Sequence, residues 1–326
     1  MANKTCPAIT DPNTVWPPFC PNIGASYFFA ILFGLTFIAH LVQMTWHKKV
    51  YSWVITFSAA LQLATYILRT LSIIHPANVN FYTYWFVFMM VAPVFTNAYV
   101  YMVMGRTVYN HTTKGSVFGI KAWRFGLIFV LLDVFALLVQ IAGASMASGS
   151  GKSTSTIMNG LHIYMGGIGF QQLCIFGFLA LAVRLHMHLR QQSPSPQRKT
   201  AFTLLYVQYT VVLLITLRII FRLIEYSNGL TSTIPQHEAY QYILDSLPML
   251  VALVLFNFFH PGRLMPGKES NMPSRKQRKA LRKQGDQPIG RAEYYLMVSK
   301  STPEHSREGS ESGLRYDVTT MPRENE

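Results

Sequence analysis

The chain has 326 residues, of which 50% are hydrophobic and only 13% are charged. Because soluble domains carry about 25% charged residues, this composition excludes an ordinary soluble protein and favours one that lies within a membrane. The formal net charge of +14 does not predict nucleic-acid binding, since the basic residues flank hydrophobic runs on one side, as topology signals and contacts to anionic lipids do.

Seven hydrophobic runs follow one another along the chain, each close to the ~20 residues that an α-helix needs to cross a bilayer. They are apolar throughout, without the alternation of a membrane-spanning β-barrel. The predicted fold is therefore all-α, a polytopic membrane protein with a bundle of seven transmembrane helices. The predicted spans are Ala25–Trp46, Tyr51–Ile74, Phe81–Met104, Ala122–Ala144, His162–Arg184, Thr203–Tyr226 and Tyr240–His260.

Lys and Arg are unevenly distributed between the loops, and this orients the bundle, because cytoplasmic loops are enriched in both residues. The first, third and fifth loops contain eight of them, whereas the other loops and the N-terminal segment contain only Lys4 and Lys152. We therefore expect an extracellular segment at residues 1–24, a transmembrane domain at residues 25–262 and a basic, disordered cytoplasmic tail at residues 263–326. The plasma membrane is the expected location, with internal membranes as the alternative.

The N-terminal segment lacks the apolar stretch of a cleaved signal peptide, so the first span is expected to act as the insertion signal. Asn3, followed by Lys and Thr, is a candidate glycosylation site. Cys6 and Cys20 are either joined as a disulfide or remain two separate thiols. Cys174, inside a span, is expected to pack as a small apolar residue.

The tail begins with a polybasic stretch, Ser274–Gln284, close to the last span. Its basic residues would attract anionic lipid headgroups by about 1 kcal/mol each, and the alternative is that they serve only as a topology anchor. Residues 268–326 are rich in Lys, Arg, Ser, Glu, Pro and Gly, with little to bury, which predicts disorder.

ATP-driven transport and two seven-helix classes fit the sequence poorly. Residues 149–154 resemble part of a P-loop, but Met146 stands where the first glycine of that motif belongs, and the segment lies in an outer loop. A retinal protein needs a lysine in the last span, and Tyr240–His260 contains none. The usual receptor motifs at the ends of spans three and seven are absent, which removes the main support for a G-protein-coupled receptor.

A zinc hydrolase was the third alternative, because His75, His162 and His237 all fall near the outer ends of spans or in outer loops. Three imidazoles can bind zinc, but no two of these histidines have the close helical spacing of a metal motif. We therefore expect no enzymatic activity, no metal and no cofactor.

Several polar residues lie inside the predicted spans, although an ionisable residue at the centre of a transmembrane helix costs ~3 kcal/mol. Arg218, Arg222 and Glu225 are spaced by four and three residues and so share one face of the sixth helix. That face is expected to point into the bundle and to pair there with Asp245, Asp133 or Gln140. The polar residues of the other spans are Arg69, Asp133, Gln140, Gln171, Gln172 and Asp245.

Two interpretations of this polar set stay open. One is a structural network of ion pairs, in which Arg69 and Arg222 reach toward the outer headgroups. The other is a polar cavity, open to the outer leaflet, that binds the phosphate, amine or hydroxyl of a headgroup, because charges inside a membrane usually serve function. Asp133, near the midplane, is the best candidate for a group that exchanges protons. The candidate substrate-binding residues are Arg218, Arg222, Glu225, Asp245, Asp133, Gln140 and Gln172.

The most specific pattern lies in Leu217–Pro261, at the end of the chain's hydrophobic part. Its marked positions are Arg218, Phe221, Arg222, Glu225, Tyr226, Gly229, Glu238, Tyr242, Asp245, Asn257, His260, Pro261 and Gly262. This arrangement resembles the signature of the fungal lipid-translocating exporter family, of the aminocholesterol-resistance (RTA-like) type. Spans three to five resemble that family as well, at Ala92, Pro93, Tyr101, Gly105, Arg106, Asp133, Gln140, Gly143, Gly169 and Gln172.

The resemblance implies a seven-span protein that moves or exports lipid-like molecules, such as sphingoid bases, and that contributes to resistance to amphipathic toxins. Since no ATP site is expected, transport would be downhill or coupled to protons. The alternative is a membrane sensor that binds a lipid or stress ligand and signals through the cytoplasmic tail. The resemblance implies a class of activity and no catalytic residues.

Overall fold

The computed structural model describes residues 6–16, 19–112, 115–117, 119–148, 152–191, 196–227, 237–267, 270–283 and 291. The candidate glycosylation site Asn3, the residues 149–151 of the P-loop-like segment, Gly229 of the family signature and the tail beyond residue 283, residue 291 apart, lie outside this part of the chain.

Seven helical segments of the described chain are long and apolar enough to cross a membrane. This confirms the predicted fold class, and the protein is an integral, multi-pass membrane protein. The segments are Ile23–His47, Val50–Ile74, Val79–His111, Ala122–Ala147, Thr154–Arg190, Arg198–Ser227 and Glu238–Leu264.

The elements are numbered in chain order. A short helix α1 precedes six long helices, and the seventh span is built from α8, a π-helical turn at Tyr242–Ser246, α9 and α10. A two-stranded antiparallel hairpin, Ser116–Val117 (β1) with Ile120–Lys121 (β2), joins α4 to α5. The helices are α1 Pro7–Thr10, α2 Ile23–His47, α3 Trp53–Ile74, α4 Val79–His111, α5 Ala122–Ala147, α6 Thr154–Arg190, α7 Pro196–Ser227, α8 Glu238–Gln241, α9 Leu247–Phe258, α10 Pro261–Leu264 and α11 Arg275–Lys283.

The third and fifth spans are longer as helices than their hydrophobic runs predict. α4 continues from the predicted end at Met104 to His111, and α6 begins at Thr154 instead of at His162. Hydropathy marks only the apolar part, whereas a helix continues as long as its backbone hydrogen bonds are made and its ends are capped. Ser153 caps α6 by accepting a hydrogen bond from the Thr156 amide.

Successive helices pack side by side from α2 to α7, and α9 closes the bundle by packing against both α7 and α2. α4 also contacts α6 and α7, so it lies innermost and has the largest buried fraction among the seven spans. The closest approach joins α5 to α6 at two glycines. A Cβ on Gly143 would lie 2.4 Å from the Tyr164 amide nitrogen, and one on Gly160 would lie 2.5 Å from the Ala147 nitrogen.

One end of the bundle, called here the N-terminal face, is covered by residues 6–16 and 19–22. Trp16 is 5% exposed and its indole Nε1 donates to the Ser72 carbonyl at 2.9 Å. The Val15 amide donates to the Pro76 carbonyl at 3.0 Å. Cys6 and Cys20 are joined as a disulfide whose loop contains Trp16.

The opposite end, called the tail face, holds part of the segment for which the sequence predicts disorder. The Lys49 ammonium, buried between α2 and α3, donates to the Gly267 carbonyl at 2.7 Å, the Ser270 hydroxyl at 2.6 Å and the Asn271 side-chain oxygen at 3.1 Å. Burial and then the nearby Arg106 and Arg291 lower the pKa of the Lys49 amine. These three acceptors offset the desolvation of the charge.

The polybasic stretch also differs from the prediction, because it forms the helix α11. Arg278 on this helix stacks its guanidinium over the Trp123 ring at 4.9 Å, at the start of α5. A cation–π contact of this kind is worth ~0.5–1 kcal/mol at an exposed site. Composition alone missed this helix because its partner Trp123 is distant in sequence.

Candidate functional site

Two arginines and two carboxylates meet inside the bundle and form what we call the arginine–carboxylate cluster: Arg218, Arg222 and Glu225 of α7, and Asp245 of the π-helical turn. Arg218 Nε lies 2.5 Å from Asp245 Oδ1, and Arg222 Nη2 lies 2.7 Å from Asp245 Oδ2. Arg222 Nη1 lies 3.0 Å from Glu225 Oε2. Asp245 thus bridges both arginines, and the formal charges within the cluster cancel.

The cluster is deeply buried, and its geometry follows from local structure. All four residues are at most 9% exposed. Spacings of four and three residues place Arg218, Arg222 and Glu225 on one face of α7, as the sequence predicts. Asp245 reaches them from a π-helical turn, a distortion that occurs often at functional sites.

Neighbouring groups accept further hydrogen bonds from both arginines. Arg218 Nη2 donates to the Met89 carbonyl of α4 at 3.0 Å, and Arg222 Nη1 also donates to the Tyr226 hydroxyl at 3.2 Å. Buried charges are stable only when they are paired and hydrogen-bonded. The cluster meets this requirement and ties α4, α7 and the seventh span together.

A small cavity of about 10 Å³ lies against the cluster, with room for roughly one water molecule. Its polar lining comes from α5, α6 and α7, and Pro93 of the inner helix α4 also contacts it. Gln140 Nε2 donates to Gln171 Oε1 at 3.1 Å across this space. The polar residues that line the cavity are Gln140, Tyr164, Gln171, Arg218 and Arg222.

Five of the seven candidate residues therefore lie together: the four members of the cluster and Gln140. Gln172 does not belong to this set, because its Nε2 donates to the Thr216 hydroxyl of α7 at 3.2 Å, while its neighbour Gln171 lines the cavity. Consecutive residues of a helix point about 100° apart. The sequence shows two adjacent glutamines, but it does not show the rotation of α6 about its axis, which decides which of the two faces the cavity.

Asp133 is also separate from the cluster. Its Oδ2 accepts hydrogen bonds from Asn97 Nδ2 at 3.0 Å and from the Tyr101 hydroxyl at 3.1 Å, both on α4. Of the three partners expected for the polar face of α7, Asp245 pairs with the arginines and Asp133 does not. Asp133 lies two helical turns before Gln140 on α5, which is too far along the helix to reach the same cavity.

The expectation that Arg69 and Arg222 reach outward to headgroups is wrong, since they are only 1% and 3% exposed. Arg69 Nη2 lies 2.6 Å from Glu238 Oε1. Its guanidinium carbon lies 4.5 Å from the Trp85 ring centroid and 5.2 Å from that of Trp16. We call Arg69, Trp16, Trp85 and Glu238 the Arg69 cage.

Sequence reasoning missed Glu238 and Tyr164 as members of polar sites. Glu238 accepts from Arg69 and also, at 2.6 Å, from the Asn22 amide that precedes α2. Its place in the family signature was a signal that could have identified it. Tyr164, a neutral residue in an apolar run, gave no such signal. Among the described residues no three His, Cys, Asp or Glu side chains are grouped as metal ligands.

The fold and this site define a class: an integral membrane protein of seven helices with a charged, hydrogen-bonded cluster inside its membrane-spanning part. Residues 55–268, more than half of the chain, match the family described as RTA1 like protein. The chain belongs to this family, which confirms the resemblance seen in the sequence.

Curated relatives extend this family match over most of the chain. A protein of Emericella nidulans named probable lipid transporter atnI is 36% identical over 286 residues, which cover 80% of this chain and 74% of that protein. The sphingoid long-chain base transporter RSB1 of Saccharomyces cerevisiae is 24% identical over 304 residues, covering 82% and 78%.

A third relative, protoporphyrin uptake protein 1 of Saccharomyces cerevisiae, is 32% identical over 200 residues, covering 59% of this chain and 62% of that protein. No solved structure matches the chain significantly. The names of these three relatives describe transport or uptake, in agreement with the expectation that the protein is not an enzyme.

Proposed function

We propose that the protein moves lipids or lipid-like amphiphiles, such as sphingoid bases, across a membrane, with the headgroup passing through the arginine–carboxylate cluster. The observation that carries this proposal is the cluster itself, two arginines and two carboxylates buried within the membrane-spanning helices beside a polar cavity. The names of the relatives, lipid transporter and sphingoid base transporter, support the same class of substrate.

The chemistry of the cluster suits a polar headgroup that must cross hydrocarbon. Transfer of an unpaired charge into an apolar medium is prohibitive, but a headgroup that replaces one partner of an existing ion pair remains paired. The amine of a sphingoid base would take the place of an arginine at Asp245 or Glu225, and the hydroxyls of the same headgroup would bind Gln140 and Gln171. The acyl chain would meanwhile stay in the surrounding lipid.

The described conformation is closed to such a substrate. A cavity of about 10 Å³ holds roughly one water, so a headgroup enters only when the helices around the cluster separate. The π-helical turn at Tyr242–Ser246 and the proline inside α4, Pro93, lie next to the cluster and the cavity. Departures from regular α-helix of these two kinds are where transmembrane helices bend, and we place the opening motion there.

The finer features belong to the same proposal. The N-terminal face is outside and the tail face is cytoplasmic, as the distribution of basic residues predicts. In that orientation α11 lies at the inner leaflet and binds anionic headgroups. Export from the plasma membrane without ATP would remove amphipathic toxins from the cell and so contribute to resistance.

Transport assays with purified protein in vesicles test the proposal, with a fluorescent sphingoid base and a fluorescent phospholipid as probes. Asp245→Asn and Arg222→Gln should each lower the transport rate about 10- to 100-fold, because a hydrogen bond to a charged group is worth ~1.5–3 kcal/mol. Leu213→Ala is the control, since Leu213 lies on the same helix and is 68% exposed at its outer surface.

Size-exclusion elution and thermal unfolding identify the variants that remain folded. Folded Asp245→Asn and Arg222→Gln proteins that transport at the wild-type rate would leave the cluster a purely structural network and remove the proposed headgroup path.

A further inference from the structure

A second polar site lies within the bundle, built around Asp133 of α5 and separate from the arginine–carboxylate cluster. Asp133 and Asn97 are each 1% exposed. Asn97 Nδ2 and the Tyr101 hydroxyl both donate to the same carboxylate oxygen, Oδ2 of Asp133, at 3.0 and 3.1 Å. The other oxygen of Asp133, Oδ1, and the Oδ1 of Asn97 are buried and have no hydrogen-bond partner among the described residues.

Within the described part of the chain, this carboxyl group has two hydrogen-bond donors and no cation paired with it. None of the ion pairs between described residues includes Asp133. The Tyr101 ring packs against Phe129 and Phe178, with ring centroids 5.1 and 5.0 Å away. The titratable groups that face Asp133 are Tyr101 from α4 and Cys174 from α6. A carboxylate in such a place is strongly disfavoured when no positive charge compensates it.

We propose that Asp133 is a proton-binding site, with the proton on Oδ1 in the described conformation, and that its release and uptake are coupled to transport. A proton on Oδ1 turns that oxygen into a donor, and its expected acceptor is Asn97 Oδ1, a buried oxygen without a partner on the same amide that donates to Asp133 Oδ2. The acid and the amide then form a pair of reciprocal hydrogen bonds. One proton therefore supplies partners for both of the unpaired oxygens, as buried polar groups require.

The site also suits the state without the proton. On release, the O–H bond at Oδ1 breaks, both bonding electrons stay on Asp133, and the proton passes to a water molecule that enters when the bundle opens. The carboxylate that remains keeps two donors, Asn97 Nδ2 and the Tyr101 hydroxyl. Hydrogen bonds to the charged form stabilise it, so both states of the group have partners.

Two helices connect the proton site to the cavity beside the arginine–carboxylate cluster. On α4, Asn97 lies one turn after Pro93, and on α5, Gln140 lies two turns after Asp133; Pro93 and Gln140 both line that cavity. Release of the proton removes only the hydrogen bond from Oδ1 to α4, while the bonds from Asn97 Nδ2 and the Tyr101 hydroxyl remain, and we expect this change to alter the packing of α4 against α5. The coupling, unlike proton binding itself, rests on the proposed function.

Infrared spectroscopy of the purified, full-length protein tests proton binding without any need for transport. Exposed carboxyl groups have pKa values of about 4, and the other buried carboxyl groups of the described residues form ion pairs, so Asp133 is the expected source among these residues of a carbonyl band from an un-ionised carboxylic acid near neutral pH. We expect this band in the wild type and in the control Asp11→Asn, and its complete loss in Asp133→Asn. In Asn97→Ala the band should move to higher frequency, because its hydrogen bond to the amide is lost. A wild-type spectrum without the band would overturn the proposal.

Transport in vesicles with an imposed pH gradient and a clamped membrane potential tests the coupling. For one proton exchanged per substrate, a gradient of one pH unit should change the steady-state distribution of the fluorescent sphingoid base about tenfold. This effect of the gradient on the distribution should be absent in Asp133→Asn. If the distribution in vesicles with the wild-type protein is the same with and without the gradient, coupling is refuted. If the wild type moves no probe under any condition, the proposed function fails, while the infrared result still decides whether Asp133 binds a proton.

Discussion

At the scale of single residues, several buried charges of the described bundle have partners from a different helix. Arg69 of α3 shows this well, because it contacts Glu238 at the start of the seventh span and two tryptophan rings. Trp85 lies on α4, and Trp16 belongs to the segment that covers the N-terminal face. The Arg69 cage therefore joins four parts of the chain through one guanidinium.

Replacement of Arg69 tests how much this cage stabilises the protein. Arg69→Met leaves Glu238 without its arginine, and loss of one partner of a buried pair costs about 3–5 kcal/mol. Arg69→Lys keeps the charge but lacks the planar group that stacks on the rings. We therefore expect it to lower the free energy of unfolding by less than Arg69→Met does. Thermal unfolding in detergent micelles measures both effects.

Ile67→Ala is the matched control for these variants, because Ile67 lies on the same helix and is 47% exposed. An Arg69→Met protein that unfolds at the same temperature as this control would show that the cage adds nothing to stability.

At the scale of helices, the contact between α5 and α6 depends on two residues without side chains. Gly143 and Gly160 face each other across the interface, and each lies against the backbone of the other helix. Small residues of this kind permit close approach of transmembrane helices, where packing replaces the hydrophobic effect as the driving force. This contact fixes the positions of Gln140 and Gln171 on the two sides of the cavity.

Alanine substitution separates this packing role from the general effect of glycine in a helix. In Gly143→Ala the new methyl group would lie 2.4 Å from the Tyr164 backbone nitrogen, so the helices must move apart, which should cost about 1–3 kcal/mol or more. Gly166→Ala on α6 meets no atom within 4 Å and should be neutral or stabilising, because alanine favours helix by ~1 kcal/mol. The unfolding temperatures of the two variants measure this difference. Equal unfolding temperatures for Gly143→Ala and Gly166→Ala would exclude the packing role of Gly143.

On the tail face, Lys49 binds the segment after α10 through three hydrogen bonds. Lys49→Met removes all three hydrogen bonds to residues 267–271. We expect faster amide hydrogen exchange in residues 265–283, with little change in the transmembrane helices. Lys48→Met is the control, since the neighbouring Lys48 is exposed. If exchange in the tail segment is equally slow in both variants, Lys49 does not hold it.

At the scale of the whole molecule, the bundle and the tail are distinct parts, joined by contacts that include those of Lys49 and the stacking of Arg278 on Trp123. The candidate headgroup path lies entirely within the helices, in residues before 246. A translocator should therefore work without the tail, whereas a membrane sensor that signals through it should not.

Two truncated proteins distinguish these functions. A chain that ends after residue 283 keeps the Lys49 contacts and should transport at the wild-type rate, and loss of its transport would instead favour a role for the distal tail. A chain that ends after residue 267 lacks Ser270 and Asn271, two of the three Lys49 acceptors, and should unfold more easily, by ~1.5–3 kcal/mol for each hydrogen bond to the charge. Vesicle transport and thermal unfolding measure the two outcomes.

The sequence by itself determined the class of this protein. Seven apolar runs of sufficient length identify seven spans, and the charged signature of the last two identifies the family, because both properties can be read from residues close together in the chain. The spacing of Arg218, Arg222 and Glu225 likewise predicted their common face, since helical periodicity is local.

Only the tertiary structure decided which polar residues meet. It placed Gln171 and not Gln172 at the cavity, gave Asp133 its own partners on α4, and buried Arg69 between aromatic rings. Each of these outcomes depends on how one helix is rotated and shifted against its neighbours. That choice is made by packing summed over whole helix surfaces, and residues far apart in sequence contribute to it.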